Sequence, residues 1–399
     1  MMRDVVVVGG SLAGLRAVEA LRAGGYDGAI TVIGAERHLP YDRPPLSKRL
    51  LSGEWEPERI ALRRPDDMGS LRATWRLGTA ATGLDTGARL ITLADGGTVA
   101  YDGLVMATGA SPRRLPGQGE FPHALCLRTL DDALSLRNRI MDGGHRVVVI
   151  GAGFIGLEVA ATAHQLGNSV LVLEGAPAPL MRAFGGEMGA AVAAVHDDRG
   201  VEIRCGVAVD GLGPRSVVVD GEQIPCDVVV VGIGVAPAVG WLEGSGLRVA
   251  DGVVCGSDLN VGVPMVYAAG DMMRWHNPLF DEEMRVEHWT NAAEQGAHAG
   301  RNLLREAAGE PTEPYAPVPF FWSEQYDRRI QFLGRAGPDD EVRVVAGSVA
   351  DRQFAALFGR AGRLRGVLGL NMPRHVMPFR RPLMNAVSWD EALALAASM

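Results

Sequence analysis

Four consecutive apolar residues, Val5, Val6, Val7 and Val8, open the patterned part of the chain, and a run of that kind reads as a strand buried on both faces. Gly9, Gly10, Ser11, Leu12, Ala13 and Gly14 follow at once, after which Leu15, Val18 and Leu21 recur at helical spacing. The pattern predicts strand, glycine turn and helix, then a second strand over residues 29–33 with Glu36 just beyond it. The same order returns later in the chain. Residues 146–150 read as a buried strand, Gly151, Ala152, Gly153, Phe154, Ile155 and Gly156 as the turn, residues 157–166 as a helix, and residues 170–173 as the next strand, closed by Glu174.

Each unit has the makings of a dinucleotide site. Glycines let the backbone turn tightly and approach a pyrophosphate, whose charge sits where the free N–H groups of a helix N-terminus point. The second unit carries all three glycines, and Glu174 stands where adenine ribose hydroxyls are read. Beside it Gly175, Ala176 and Pro177 offer no cation for a 2'-phosphate, which favours NADH over NADPH. In the first unit Ser11 replaces the middle glycine, where a β-carbon crowds an approaching phosphate. The two turns amount to an internal duplication, with one site expected to hold FAD and the other NAD.

Composition narrows the field. At 399 residues, with 52 glycines, 47% hydrophobic and 22% charged residues, the chain has the length of two or three α/β domains. A net charge of -8 argues against a nucleic-acid binder. The run at Val5–Val8 is shorter than a signal-peptide core, and no stretch approaches the ~18 apolar residues of a membrane span, so a cytoplasmic protein is expected. Cys126, Cys205, Cys226 and Cys255 form no CxxC pair, and the nine histidines show no metal-ligand spacing, so no metal site is expected.

Further blocks extend the pattern: Pro40-Tyr41-Asp42-Arg43-Pro44-Pro45-Leu46-Ser47-Lys48, Met106-Ala107-Thr108-Gly109-Ala110, Val231-Gly232-Ile233-Gly234-Val235, Tyr267-Ala268-Ala269-Gly270-Asp271, and Phe320-Phe321-Trp322-Ser323-Glu324-Gln325-Tyr326. With both turns, and in this order, they make the chain resemble the FAD-dependent NADH:ferredoxin reductases of the putidaredoxin reductase and biphenyl-dioxygenase ferredoxin reductase type. The resemblance runs nearly end to end. It implies an FAD-binding domain split over residues 1–110 and 234–315, an NAD-binding domain at 111–233, and a C-terminal α+β domain at 316–399. Linker-like composition supports two of these breaks, with two prolines and two glycines in residues 111–119 and four prolines in residues 309–319.

The resemblance also implies roles for matching positions. Gly9, Ser11, Leu12, Ala13 and Gly14 would lie along the FAD pyrophosphate, and Glu36 is the nearest acid for its ribose, since Ala35 stands where some relatives have one. Arg43 and Lys48 would reach the flavin side, Asp271 with Gly270 the ribityl chain, Ala81, Thr108, Gly109, Arg128 and Trp289 would complete the FAD contacts, and Ile233 and Gly234 are further cofactor-binding positions. Ala238 replaces an asparagine common in the family. On the NAD side stand Gly151, Gly153, Phe154, Ile155, Gly156, Glu174, Arg182 and Glu158. Glu158 would face the nicotinamide and pair with Lys48, a cation that stabilises charge on reduced flavin. Trp322 would lie close to the flavin, although an apolar cluster such as Phe320-Phe321-Trp322 is as readily core.

Hydride transfer is cofactor chemistry and needs no protein nucleophile. No cysteine lies near Lys48, where peroxidase relatives place theirs, so electrons are expected to leave toward an acidic iron-sulfur ferredoxin that serves an oxygenase or cytochrome P450. Rubredoxin is an alternative acceptor, and an apoptosis-inducing-factor-like binding switch an alternative role. Residues 352–381 carry Arg352, Arg360, Arg363, Arg365, Arg374, Arg380 and Arg381 with no acid, an expected docking face for that acceptor.

Overall fold

A computed structural model describes residues 2–399. The chain forms two compact units: one takes in the chain up to Asp42 with Ile60–Ser111 and Ala236–Pro319, the other Arg43–Arg59, Pro112–Val235 and Phe320–Met399.

In the first unit the Val5–Val8 run is the centre of a parallel sheet. The strand Asp4–Val8 lies between Ala29–Gly34 and Gly103–Met106, with Ala73–Leu77 and Val266–Ala268 at the two edges. Val5 to Val8 are each 1% exposed or less, which is why this strand shows no polar alternation. The helix Leu12–Ala23 buries Leu15, Ala17, Val18 and Leu21. It packs on the helix Trp289–Ala307 at very close range: a β-carbon on Gly296 would collide with the carbonyl oxygen of Ala13, and one on Gly300 would come within 2.9 Å of that of Ala17. Small residues on both helices set this distance.

The second unit repeats the parallel arrangement. Its sheet runs in the order Glu202–Cys205, Ser169–Glu174, Arg146–Ile150, Val228–Val231, Ala124–Leu125. The helix Phe154–Gln165 starts three residues before the predicted 157. Gly156 lies inside its first turn, so the glycine pattern that marks the turn also hides the helix start.

The same unit contains a five-stranded antiparallel sheet in the order Phe320–Gln325, Arg328–Gly334, Arg363–Leu370, Gln353–Arg360, Glu341–Ser348, followed by the helix Trp389–Ala397. Alternation along Phe320–Gln325 turns Phe321, Ser323 and Gln325 to one face and Phe320 and Trp322 to the other. Phe321 joins an aromatic cluster with Phe154 (4.8 Å between centroids), Phe184 and Phe332. Trp322 stays half-buried, stacked on Phe320. The observed architecture is the expected one, α/β with two Rossmann-like sheets and a C-terminal α+β region. Among the described residues no helix is long and apolar enough to cross a membrane.

The close helix pair generates a stability prediction. Gly296→Ala forces a methyl group against backbone that side-chain rotation cannot relieve, and we expect a loss of about 1–3 kcal/mol in urea unfolding. An unchanged midpoint would contradict this packing.

Candidate functional site

Both glycine turns have the geometry that a dinucleotide requires. Gly9 and Gly151 sit at φ of +129 and +106, in the region that L side chains rarely adopt. A β-carbon on either would strike backbone, Ala107 in the first case and Gly232 in the second. Gly14 and Gly156 pass equally close to the carbonyl oxygens of Gly9 and Gly151. The middle positions differ. Around Gly153 a β-carbon would meet nothing within 4 Å, whereas Ser11 brings a side chain to that place. Neither Ser11 nor Gly153 caps its helix with a side-chain hydrogen bond, and both leave the helix N-terminus to an anion. The residues present therefore fit a pyrophosphate at each turn.

Glu174 ends its strand with its carboxylate accepting hydrogen bonds from the backbone N–H of Ala152 in the turn (2.7 Å) and of Ala176 (2.8 Å). The acid is held against the turn whose ligand it was expected to read. Arg182 places its guanidinium 3.9 Å from where a β-carbon on Gly234 would lie. Ile155 is exposed at 48% on the first turn of the helix, while Phe154 beside it is committed to the aromatic cluster. Ile233 packs against the apolar cluster under the sheet.

Glu158 is the polar centre of the second unit. It is 4% exposed, and its carboxylate accepts from three side chains: Lys48 Nζ at 2.9 Å and Ser47 Oγ on one oxygen, Ser323 Oγ at 2.6 Å on the other. The Lys48–Glu158 pair expected from the sequence is thus formed. Ser47 and Ser323 were missed, because their partner lies 111 and 165 residues away and nothing local marks either serine. Thr162 Oγ1 also holds the Ser47 carbonyl (2.8 Å), fixing the segment that carries Lys48 to the helix that carries Glu158. Arg43 donates to the backbone carbonyl of Arg128, so these two expected FAD-contacting residues meet within the same unit.

In the first unit the remaining expected residues gather around the strand ends. Thr108 Oγ1 donates to the Ala238 carbonyl (2.8 Å), and the Ala238 N–H to the Gly109 carbonyl (2.9 Å), so this block is fastened by backbone and loses little by lacking an asparagine. Gly270 (φ +78) and the buried Asp271 follow the strand Val266–Ala268, and the Gly270 N–H donates to Gln295 Oε1 at 2.8 Å. Gln295 is fully buried with its Nε2 unpartnered, a polar atom the sequence gave no reason to single out. Trp289 Nε1 donates to Asp42 at 2.6 Å, and Tyr41 to Glu36. Ala81 begins the strand Ala81–Asp85. Gly10, Leu12 and Ala13 line the turn, the latter two buried.

One expectation needs correction. The arginines of residues 352–381 are not seven unopposed charges, since Arg352 pairs with Asp198 (2.8 Å) and Arg360 with Asp340 (2.7 Å). Arg363, Arg374, Arg380 and Arg381 are exposed, the last three on the short segment that also exposes Met377 and Met384. The thiols of Cys205, Cys226 and Cys255 are all shifted up by burial, Cys226 to about 11, which keeps them protonated and poorly nucleophilic. Among the described residues no cluster could hold a metal ion.

Comparison with known proteins decides the family. The family model described as pyridine nucleotide-disulphide oxidoreductase matches residues 3–296. The chain belongs to this family. A second model, reductase C-terminal, matches residues 320–399, so family member and C-terminal region together account for most of the chain. The ferredoxin–NAD(+) reductase component of the anthranilate 1,2-dioxygenase system of Burkholderia cepacia is 37% identical, over 94% of this chain and 93% of its own. Putidaredoxin reductase of Pseudomonas putida is 33% identical over 98% and 96%. Among solved structures, that of the covalent putidaredoxin reductase–putidaredoxin complex superposes with a TM-score of 0.92 at 31% identity, covering 99% of both chains. Family members are oxidoreductases that use FAD and NAD(H), and the two turns described above fit both in this one.

The Lys48–Glu158 ion pair can be tested without any cofactor. Lys48→Met leaves a buried carboxylate short of its cation, and we expect it to cost about 1–3 kcal/mol in urea unfolding. In a Glu158→Gln background the same change costs clearly less. Equal costs in both backgrounds would mean that the two side chains do not interact.

Proposed function

We propose that this oxidoreductase takes electrons from NADH through FAD and hands them singly to an acidic iron-sulfur ferredoxin serving an oxygenase or cytochrome P450. The observation that carries the reading is the coexistence of two dinucleotide turns with a cation, Lys48, pinned to Glu158 two residues beyond the second turn. The relatives named above act, by their names, with dioxygenase systems and with putidaredoxin, which supports the choice of acceptor. Bound FAD supplies the chemistry itself, accepting a hydride and releasing electrons one at a time.

The chain's residues bind, orient and neutralise. In this reading residues 1–110 and 234–315 form the FAD-binding domain, residues 111–233 the NAD-binding domain and residues 316–399 the C-terminal reductase domain, in a cytoplasmic protein. Gly9, Leu12, Ala13 and Gly14 present backbone N–H groups to the FAD pyrophosphate, Asp271 takes ribityl hydroxyls and Glu36 the ribose. Gly151, Gly153 and Gly156 do the same for NADH. Lys48 offsets negative charge that develops during reduction, and Glu158 keeps its ammonium in place while orienting the nicotinamide. Trp322 is the aromatic expected close to the flavin. The basic, methionine-bearing segment with Arg374, Arg380 and Arg381 steers the acceptor to the protein.

Cofactor content, acceptor turnover and nucleotide preference test this. Purified protein is expected to carry about one FAD per chain, to be bleached by NADH, and to reduce cytochrome c only when ferredoxin is added. Arg380→Glu with Arg381→Glu lowers that activity and its salt dependence while leaving ferricyanide reduction intact. Bleaching without ferredoxin-dependent turnover would favour a binding switch instead. On the NAD side, Glu174 meets a 2'-phosphate with like charge, so kcat/KM for NADH exceeds that for NADPH by on the order of a hundredfold. Exchanging Glu174 for Ala together with Gly175→Arg narrows or inverts the ratio. Equal use of both nucleotides by the unaltered protein would contradict the assignment.

A further inference from the structure

The hydrogen bonds on Glu158 do not stop at Ser323. Gln325, two residues on along the same strand face, donates from Nε2 to Ser323 Oγ at 3.3 Å, and its Oε1 lies 2.9 Å from Nε2 of His196 on the helix Met181–Asp197. His196 Nδ1 lies 3.4 Å from the hydroxyl of Tyr326. Ser323, Gln325 and His196 are each 1% exposed or less. A fully buried histidine and glutamine, with no apparent need to be polar for packing, call for a reason.

Donor and acceptor capacities fix the direction of the whole series. A carboxylate paired with an ammonium can only accept, so Ser323 must spend its one proton on Glu158 and accept from Gln325. That orients the Gln325 amide, whose oxygen then faces His196 and requires a proton on Nε2. Nδ1 is left as the acceptor for Tyr326. Every donor points toward Glu158. Donation from Tyr326 to Nδ1 needs a neutral ring: burial pushes His196 down to about 4, the hydrogen bond to Gln325 opposes that shift, and Arg199, just beyond the end of its helix, and His164 on the helix Phe154–Gln165 add to it. The outer end of the series is held in a strained place: Tyr326 has φ +55, in the left-handed region that a bulky side chain avoids, in the tight turn between the strands Phe320–Gln325 and Arg328–Gly334. Arg199 lies over its ring at 4.4 Å.

We propose that Ser323, Gln325 and His196 are positioning residues for the reductase, a one-directional file of donors that fixes the Glu158 carboxylate and, through it, the Lys48 ammonium. The inference rests on the roles given above to Glu158 and Lys48. Neither end of the file is free to rotate: Glu158 has both oxygens occupied, and the helix and the strand that carry His196 and Gln325 belong to one packed aromatic core.

The test uses FAD-loaded protein and a double-mutant cycle. Ser323→Ala is expected to lower kcat/KM for NADH, with ferricyanide as acceptor, by about tenfold, and by less than about twofold when Glu158 is already Gln. Gln325→Leu behaves in the same way, and Ser323→Thr, which keeps the hydroxyl, restores most of the activity. Equal losses in both backgrounds would overturn the inference, because a general packing defect does not depend on Glu158. A normal Ser323→Ala enzyme beside an impaired Glu158→Gln enzyme would overturn it too, while leaving the role of Glu158 intact. An unimpaired Glu158→Gln enzyme would instead remove the reading on which the inference rests. Independently of activity, 15N NMR of the histidine rings at pH 7, with His196 assigned by the His196→Gln variant, should find His196 neutral and protonated on Nε2. A ring protonated on Nδ1 and not on Nε2 would require the Gln325 amide to turn round, reverse the file and overturn the proposal.

Discussion

Burying a carboxylate costs several kcal/mol unless charge and hydrogen bonds compensate it where it lies. Glu158 is such a carboxylate, and the second unit is organised around its compensation. It sits in the first turns of the helix that follows the second glycine turn, so the site that receives a nucleotide and the site that needs a cation are two residues apart in sequence. Lys48 and Ser47 come to it from the segment Arg43–Arg59, and Ser323 from the first strand of the antiparallel sheet. Two stretches of chain far from that helix in sequence are tied to one group. Removing the acid would leave the Thr162–Ser47 hydrogen bond as the remaining polar tie between its helix and the segment that carries Lys48.

The two glycine turns are alike in backbone and differ in the middle position. Both use positive φ at the first glycine and a backbone contact at the third that excludes a β-carbon, so the geometry is imposed by packing and does not depend on a ligand. At the second turn the middle position is a glycine with open space around it; at the first it is Ser11.

Much of this was legible in the sequence because it is local. Buried parallel strands are continuous apolar runs, and Val5–Val8 and Arg146–Ile150 fell where the pattern put them. What was not legible depends on distant partners. Nothing near Ser323 or Gln325 points to Glu158 or His196. The arginines of residues 352–381 looked unopposed because Asp198 and Asp340 lie outside that run. Within Phe320-Phe321-Trp322 the strand's alternation decides which ring is core, and the decision falls on Phe321 because Phe154, Phe184 and Phe332 are on its side. Family resemblance supplied the Lys48–Glu158 pair, but the serines that complete it required coordinates.

Two-electron oxidation of NADH is converted here into one-electron delivery. It is tested most directly by anaerobic stoichiometry: a catalytic amount of the FAD-loaded protein, a known quantity of NADH and an excess of oxidised [2Fe–2S] ferredoxin, with cluster reduction followed by its absorbance. Two ferredoxins are expected to be reduced for each NADH consumed, over many turnovers, and protein stripped of FAD to do neither. A flavin that is reduced once by NADH and then holds its electrons in the presence of oxidised ferredoxin would contradict it.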